Sequence, residues 1–470
     1  MRLRLLLPRS RGGAGLSSLR PARPRAPRIA FAVRAGGPRL RRGAAALALV
    51  ALAGAAVVGC GGASHRPTVS SAKRAPPPAP PVIRGPAFGI TEGNANLLWN
   101  PAAAAPAAAA PFIHARRELT ALHPRYVRLL VDWAVLQPSP QNPPALSAPA
   151  TGCARDVGPC GAYVGIADEL AAIATQQSAA RAEGRPAFEV VLDILGAPAW
   201  AALPPHGCEQ AAVASTARPI APGALAGYRA LIAALVALGR KEGVALAWWS
   251  PWNEPNDPRF LSPQREACGP DGAPAATAVY AQLARAMSSE LKAVAPGARM
   301  LLGELGGYSS GSSHRLSIEQ FVGALPADVV CLSDTWAVHA YAARGRRTPP
   351  PDPVAALETA LDARGCAAPA RLWVTEAGSG APNPGRPRTD GAGEERDACR
   401  ALAAQALAWR SDPRVGAILQ YEFRDDPAFP VGLASADLSR VSSVYRMWLA
   451  LNRSAESASA TSTPSALCPG

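Results

Sequence analysis

Two glutamates stand where side chains could do acid–base work. Glu254 sits in Trp252-Asn253-Glu254-Pro255-Asn256, and Glu376 in Trp373-Val374-Thr375-Glu376-Ala377-Gly378. Each closes a short apolar run, so each is expected at the C-terminal end of a strand. Two carboxyl groups facing one another can break a bond between sugars. One gives a proton to the leaving oxygen, and the other attacks the anomeric carbon or steers water. Further polar residues end other apolar runs: Asp132, Asp193, Asn253, Glu304, His339, Tyr341 and Glu422. Each has a bland alternative. Glu254 can start a helix beside Pro255, and Glu376 can be a loop acid before Gly378. Arg128 can be an interior ion-pair residue, and His339 a satisfied core histidine. Asp193 and Glu304 can bind hydroxyls or anchor loops. Trp133, Trp200 and Trp252 can stack on sugar faces or simply pack.

Eight short apolar runs set these residues out in order. They are Phe88–Ile90, Tyr126–Val131, Phe188–Asp193, Ala245–Trp249, Arg299–Gly303, Thr335–His339, Arg371–Glu376 and Val415–Gln420. Helical stretches separate them. Leu225–Arg240 carries Leu225, Tyr228, Leu231, Ile232, Leu235 and Leu238 on one broad face. Ala275–Ala293 places Val279, Leu283, Met287 and Leu291 at four-residue spacing, and a third stretch spans about Glu394–Trp409. Alternating strands and helices make an α/β chain, and eight units fit a (β/α)8 barrel, here as a single catalytic domain over 85–452. An open doubly wound sheet would want a Gly-rich phosphate loop after an early strand. Gly306-Gly307-Tyr308 follows the fifth run and lacks a lysine, so it reads as an ordinary loop. In a barrel the strand ends share one rim, and chemistry belongs there.

The whole chain has 470 residues, a formal charge of +14 and 49% apolar residues. The charge is unevenly spread. Residues 1–84 hold sixteen lysines and arginines and no acid, which leaves 85–470 at −2. A nucleic-acid surface needs basic density on the fold itself, so no nucleic-acid partner is expected. Residues 44–59 form an apolar run behind Arg39, Arg41 and Arg42, the pattern of an export signal and too short to span a bilayer comfortably. Residues 1–59 therefore read as a basic leader with its signal segment. Residues 60–84, rich in Pro, Ser and Gly, read as a tether, and 453–470 as a disordered tail. Eight cysteines follow Cys60. Cys153 with Cys160, Cys208 with Cys268, and Cys366 with Cys399 are the expected disulfides of an exported protein. No His/Cys spacing suggests a zinc site.

Two resemblances sharpen these expectations. Val57-Val58-Gly59-Cys60 resembles the lipobox of bacterial lipoproteins. That resemblance implies lipidation of Cys60 and anchoring at the outer face of the cell membrane, with simple secretion as the alternative. Asn253-Glu254-Pro255 together with Glu376 resembles clan A of the glycoside hydrolases, with families 39 and 5 the most similar. Asp425 to Leu433, Ala436-Asp437 and Tyr445 resemble the strand-eight ending of bacterial members. The resemblance implies a retaining hydrolase of a polysaccharide or oligosaccharide, monomeric, with no cofactor and no metal. Glu254 matches the acid/base, Glu376 the nucleophile, and Asn253 the residue that bonds the sugar 2-hydroxyl. Arg128 resembles the arginine beside the nucleophile. Tyr341 or His339 resembles the group that bonds the nucleophile or touches sugar. Trp133, Trp252, Asp193 and Gln420 complete the expected substrate-binding set. Many clan members end strand eight in Trp, where this chain has Gln420-Tyr421-Glu422-Phe423. Tyr421, Phe423 or Gln420 must then take that place. The same two glutamates would serve a transglycosylase, and exposed aromatics would serve a non-catalytic sugar-binding lipoprotein.

Overall fold

In a computed structural model, residues 85–93, 106–147, 165–209, 213–342, 351–379, 391–426, 429–456 and 463–469 are described. All belong to one unit, Ala79–Gly470. The leader 1–59, Cys60, the tether 60–84 and the Cys153–Cys160 pair lie outside the described residues.

The chain forms a (β/α)8 barrel. Its strands are β1 (Ala87–Glu92), β2 (Tyr126–Asp132), β3 (Glu189–Leu195), β4 (Leu246–Ser250), β5 (Arg299–Met300), β6 (Leu302–Leu305), β7 (Thr335–Tyr341), β8 (Arg371–Gly378) and β9 (Val415–Tyr421). All pair in parallel, in the order β5-β4-β3-β2-β1-β9-β8-β7-β6. β5 and β6 are two pieces of one stave. β5 pairs with β4 and β6 with β7, so the ring closes across Leu301, whose amide bonds the Trp249 carbonyl at 2.9 Å. The eight expected runs are thus the eight staves, and only the fifth is interrupted.

Period-two alternation sorts each strand into an inner and an outer face. On β2, Val127, Leu129 and Val131 join the large apolar cluster beneath the helices, while Tyr126 packs against the barrel's interior cluster. That interior cluster holds Val191, Trp248, Leu301, Ala337, Trp373, Ala417 and Leu419 and plugs the N-terminal half of the barrel. The next inward positions toward the C-terminal ends are Arg128, Asp193, Ser250, His339 and Tyr421, and the plug gives them a dry floor.

The helix Leu225–Glu242 shows how the outer layer positions the site. Gly243, left-handed at φ 71°, ends it. Its buried face includes Tyr228, Leu231, Ile232 and Leu235. Its length and apolarity would suit a membrane span, but that burial marks it as a core helix. Tyr228 Oη donates to the Pro251 carbonyl at 2.7 Å, which pins the start of the Trp252–Asn256 segment.

Disulfides join Cys208 to Cys268, Cys331 to Cys366 and Cys399 to Cys468. The first matches expectation. The Cys366–Cys399 pairing is corrected. Cys399 lies buried on the helix Ala392–Ser411 and meets the C-terminal segment instead. That meeting also corrects the expected disordered tail for residues 463–469. There Thr463 caps the helix Pro464–Leu467, and Leu467 and Cys468 are buried. Disulfides persist in oxidising compartments, so these three suit a protein outside the cytosol.

Candidate active site

Glu254 and Glu376 reach the same point from β4 and β8. One carboxylate oxygen of each lies within 4.8 Å of the other and of a His339 ring nitrogen. Their side chains are 10% and 8% exposed, so both face the mouth while most of each is enclosed.

Glu254 is held by a rebuilt loop. Its φ is 37°, a region side-chain-bearing residues avoid at a cost of about 1–3 kcal/mol. Several bonds hold it there. Its amide donates to the Glu304 carbonyl at 2.9 Å, and Asn253 N donates to Ile194 O at 3.2 Å. Asn256 exchanges two bonds with the backbone of Gly306, and Gln264 Nε2 donates to Pro255 O at 2.9 Å.

Glu376 depends on a bulge. Against β7 the pairing runs Val338↔Val374 and then His339↔Glu376, so Thr375 is an extra residue. A bulge re-aims neighbouring side chains. Thr375 Oγ1 and Glu376 both turn inward as a result: Thr375 bonds Glu304 at 2.5 Å, and Glu376 meets Arg128.

Arg128 is fully buried and holds the cluster together. Nη1 bonds Glu376 at 2.9 Å, and Nη2 bonds Asp193 at 2.8 Å and Asn253 Oδ1 at 2.9 Å. Nε bonds Glu304 at 3.2 Å. Burial opposes its charge, but Glu304, Asp193 and Glu376 outweigh that and hold it firmly protonated. His339 Nδ1 bonds Glu254 Oε1 at 2.8 Å and lies 3.3 Å from Glu376 Oε2, while Nε2 bonds Glu304 at 3.1 Å. Burial would lower its pKa, but Glu376, Glu254 and Glu304 together lift it to about 10. His339 is therefore an imidazolium near neutral pH, donating from both nitrogens. Glu254, His339 and Glu376 are linked through the His339 ring into one hydrogen-bonded network.

Glu304, also at positive φ (51°), takes bonds from Ser250, Thr375, Arg128 and His339. Burial would raise its pKa, but Arg128 and His339 bring it down to about 2. Asp193 behaves oppositely. Burial dominates and holds its carboxyl well above the usual range, against the pull of Arg128. Its Oδ1 is buried with no partner. Tyr341 Oη donates to Glu376 Oε2 at 2.5 Å, and burial beside Glu376 pushes the phenol up.

The structure thus brings together Arg128, Asp193, Asn253, Glu254, His339, Tyr341 and Glu376. It does not bring the others. Trp133 starts the helix Trp133–Leu136, is fully buried, and bonds Gln137. Trp252 is fully buried and bonds the Phe260 carbonyl. Neither offers a ring face to a sugar. Asp193 belongs to the cluster, but it is fully buried and bonded to Arg128 Nη2, which keeps it from a sugar hydroxyl. Gln420 points outward: Nε2 bonds two carbonyls and Oε1 accepts from Trp448. Leu419 faces the interior, so alternation turns Gln420 out and Tyr421 in. Phe423 is buried. Tyr421, with Tyr341 6.3 Å away and Phe429 6.0 Å away, is the aromatic at the mouth.

Arg259 and Asp257, unremarked in the sequence, and Tyr308, read there as part of an ordinary loop, form the wall beside Glu254. Arg259, 70% exposed, grips Asp257 with two nitrogens, at 3.0 and 2.9 Å, and lies 3.6 Å from Glu254. Tyr308 Oη donates to the same Asp257 at 2.5 Å. No sequence motif marks them, because the contact joins the loops after β4 and β6.

The shifts of His339 and Glu304 each carry a pH dependence. His339 is raised above its ordinary 6.5, so its contribution to stability is complete below pH 6.5 and fades as pH climbs through about 10. Glu304 is depressed below 4.5, so its contribution is present above pH 4.5 and fades as pH falls through about 2. The melting midpoint should fall between pH 6.5 and 10 in the parent protein, and that slope should flatten in His339→Asn. A flat parent profile over that range would contradict the network.

No protein-family model and no curated protein sequence matches the chain. Among solved structures it is similar to SrfJ from Salmonella typhimurium, at TM-score 0.50 and 9% identity, over 79% of this chain and 74% of that one. It is also similar to the endo-beta1,6-glucanase BT3312, at TM-score 0.50 and 13% identity, over 78% and 75%. A family 39 glycoside hydrolase from the gut symbiont Bacteroides cellulosilyticus WH2 aligns at TM-score 0.47 and 16% identity, over 78% of this chain. The chain spans 64% of that protein's length. At these identities the two likenesses at TM-score 0.50 speak for the shared fold.

Proposed function

We propose that this barrel is a clan A glycoside hydrolase that cleaves a β-linked glycan with retention, Glu254 acting as acid/base and Glu376 as nucleophile. The observation that carries this is the spacing and unequal company of the two carboxyl groups. Retaining enzymes hold the pair about 5–5.5 Å apart, and inverting ones about 6.5–9.5 Å. One oxygen of each carboxylate within 4.8 Å of the other puts both groups at one gap, where a single glycosidic bond can meet them together; retention is the part of the reading that the resemblance to clan A supplies.

The donors divide the roles. Glu376 takes bonds from Arg128 and Tyr341 and lies beside the His339 cation, which suits an anion poised to attack. Glu254 accepts from His339, lies 3.6 Å from the exposed Arg259 and faces the mouth, which suits proton delivery to a leaving oxygen.

The reaction then has two steps. Glu376 attacks the anomeric carbon as Glu254 protonates the departing oxygen, leaving a glycosyl ester on Glu376. Glu254, now a base, takes a proton from water, which attacks the same carbon and restores Glu376. Asn253 Oδ1 is held by Arg128, which leaves Nδ2 for the sugar 2-hydroxyl. Tyr421 supplies the aromatic floor in place of Trp. The substrate is a polysaccharide or oligosaccharide outside the cytosol. Residues 44–60 fit a lipoprotein signal, which would hold the domain on the outer membrane face through Cys60.

The test is Glu254→Ala assayed on aryl glycosides of differing leaving groups. Dinitrophenyl glycosides need little protonation and should lose under about tenfold in turnover. Poor leaving groups should lose about 10²–10⁴-fold, the usual worth of a positioned proton donor. Equal losses across the series would remove Glu254 as the acid. Proton NMR of the first-formed sugar should show the substrate's own anomer.

A further inference from the structure

The opposite end of the barrel carries a second polar cavity. It has a volume of about 680 Å³ and is walled by Arg125, Arg299, Arg371 and Arg410. Its floor is the interior plug, where Tyr126 and Trp248 pack on either side of Trp373 with ring centroids 4.4 and 4.6 Å away. Arg299 lies over the Trp248 ring at 3.9 Å.

The four cations are unequally matched. Glu189 bonds Arg125 at 2.6 Å and lies 3.3 Å from Arg299. Asp334, also on the wall, accepts from the Thr335 hydroxyl at 2.8 Å. Among the described residues, the guanidinium groups of Arg371 and Arg410 have no acidic partner and no hydrogen bond. Arg410 is also half-buried, and burial alone pulls its pKa down. An arginine held in a cavity without a counter-ion costs stability, and helix-end placement explains only its sign, not its lack of a partner.

We propose that this cavity is a binding site for a phosphate group, with Arg371 and Arg410 as its primary ligands. Four arginines against two carboxylates leave an excess of two charges. That matches a phosphate, which carries about −1.5 to −2 near neutral pH, better than a single carboxylate. Guanidinium forks suit phosphate oxygens in pairs. Two sources share the phosphate oxygens that the guanidinium forks suit: a free phosphate, which matches both excess charges, or the phosphodiester of a lipid headgroup, which carries one negative charge and matches one of them. Gly85 lies against Arg410 and lines the cavity. The site lies at the far end of the barrel from Glu254 and Glu376, and it is independent of the activity proposed for them.

Calorimetric titration of the purified full chain separates the sources. One arm uses inorganic phosphate, and the other dihexanoyl-phosphatidylglycerol below its micelle concentration, with the phosphatidylcholine analogue as control. Binding of phosphate assigns a free phosphate. Binding of the glycerol lipid without phosphate or the choline analogue assigns an anionic headgroup. In either case R371Q/R410Q should bind about tenfold more weakly or worse. The R371K/R410K pair, which keeps charge but loses the forks, should fall between. Melting midpoints of all variants show that they are folded. Binding of neither ligand, or equal binding by parent and R371Q/R410Q, would overturn the assignment.

Discussion

Replacing Glu376 with Ala should lower turnover of a β-linked aryl glycoside by about 10⁴-fold or more, equivalent to about 5 kcal/mol of lost transition-state stabilisation. The loss should fall on kcat, because without the carboxylate no glycosyl ester can form. The fold should survive. Arg128 keeps its bonds to Asp193, Asn253 and Glu304, and the truncated side chain opens onto the mouth. Added azide should then restore turnover by entering the space left beside Arg128. A nucleophile arriving there attacks the face Glu376 would have attacked, so the product should be the α-glycosyl azide. Turnover within about tenfold of the parent would remove Glu376 from the mechanism. Rescue giving the β-azide would place the attacking group on the other face. Azide rescue also separates this role from that of Glu254, whose loss leaves the ester able to form on reactive substrates.

The order of the staves and the placing of Glu254 and Glu376 at one rim were legible because they rest on local pattern, whereas Arg128 was marked only by resemblance. Apolar runs alternate with helical stretches, and polar residues gather at or just after the ends of several runs. What was not legible depended on departures from regular strand geometry. Thr375 is an extra residue on β8, and nothing in Val374-Thr375-Glu376 announces it. Glu304 follows Gly303 at φ 92°, so the fifth stave turns a fully buried acid under the site. The Gln420 error had a signal in the sequence. Once Ala417 and Leu419 are placed inward, period two turns Gln420 toward the helices and brings Tyr421 to the mouth. The tryptophans carried no such signal. Trp133 and Trp252 follow strand ends, but the turns after β2 and β4 fold them back into the core, where each indole nitrogen finds an acceptor. The pairing of Cys399 with Cys468 was unreadable for another reason. It joins a helix to a segment 69 residues away that composition marked as tail.

Arg128→Met should cost about 3–5 kcal/mol of folding stability, the usual consequence of removing one member of a buried ion cluster. Methionine fills much of the volume, so the loss is electrostatic rather than a cavity effect. Asp193 and Glu304 have fully buried side chains and would keep no cation but His339. Urea unfolding at pH 7 measures the change directly. The pH dependence gives the cause: in the parent, Arg128 lets Glu304 stay ionised down to about pH 2, so acid removes stability. Without Arg128 that depression shrinks, and the parent's advantage should narrow as pH falls below 4.5. Adding Glu304→Gln to Arg128→Met should recover part of the loss, since a neutral amide needs no counter-charge. A simple packing role for Arg128 predicts no such recovery and no narrowing at low pH. The same variant should also lose catalysis, because Arg128 orients Glu376 and Asn253 together. A stable, active Arg128→Met protein would therefore contradict the stability account and the proposed site at once.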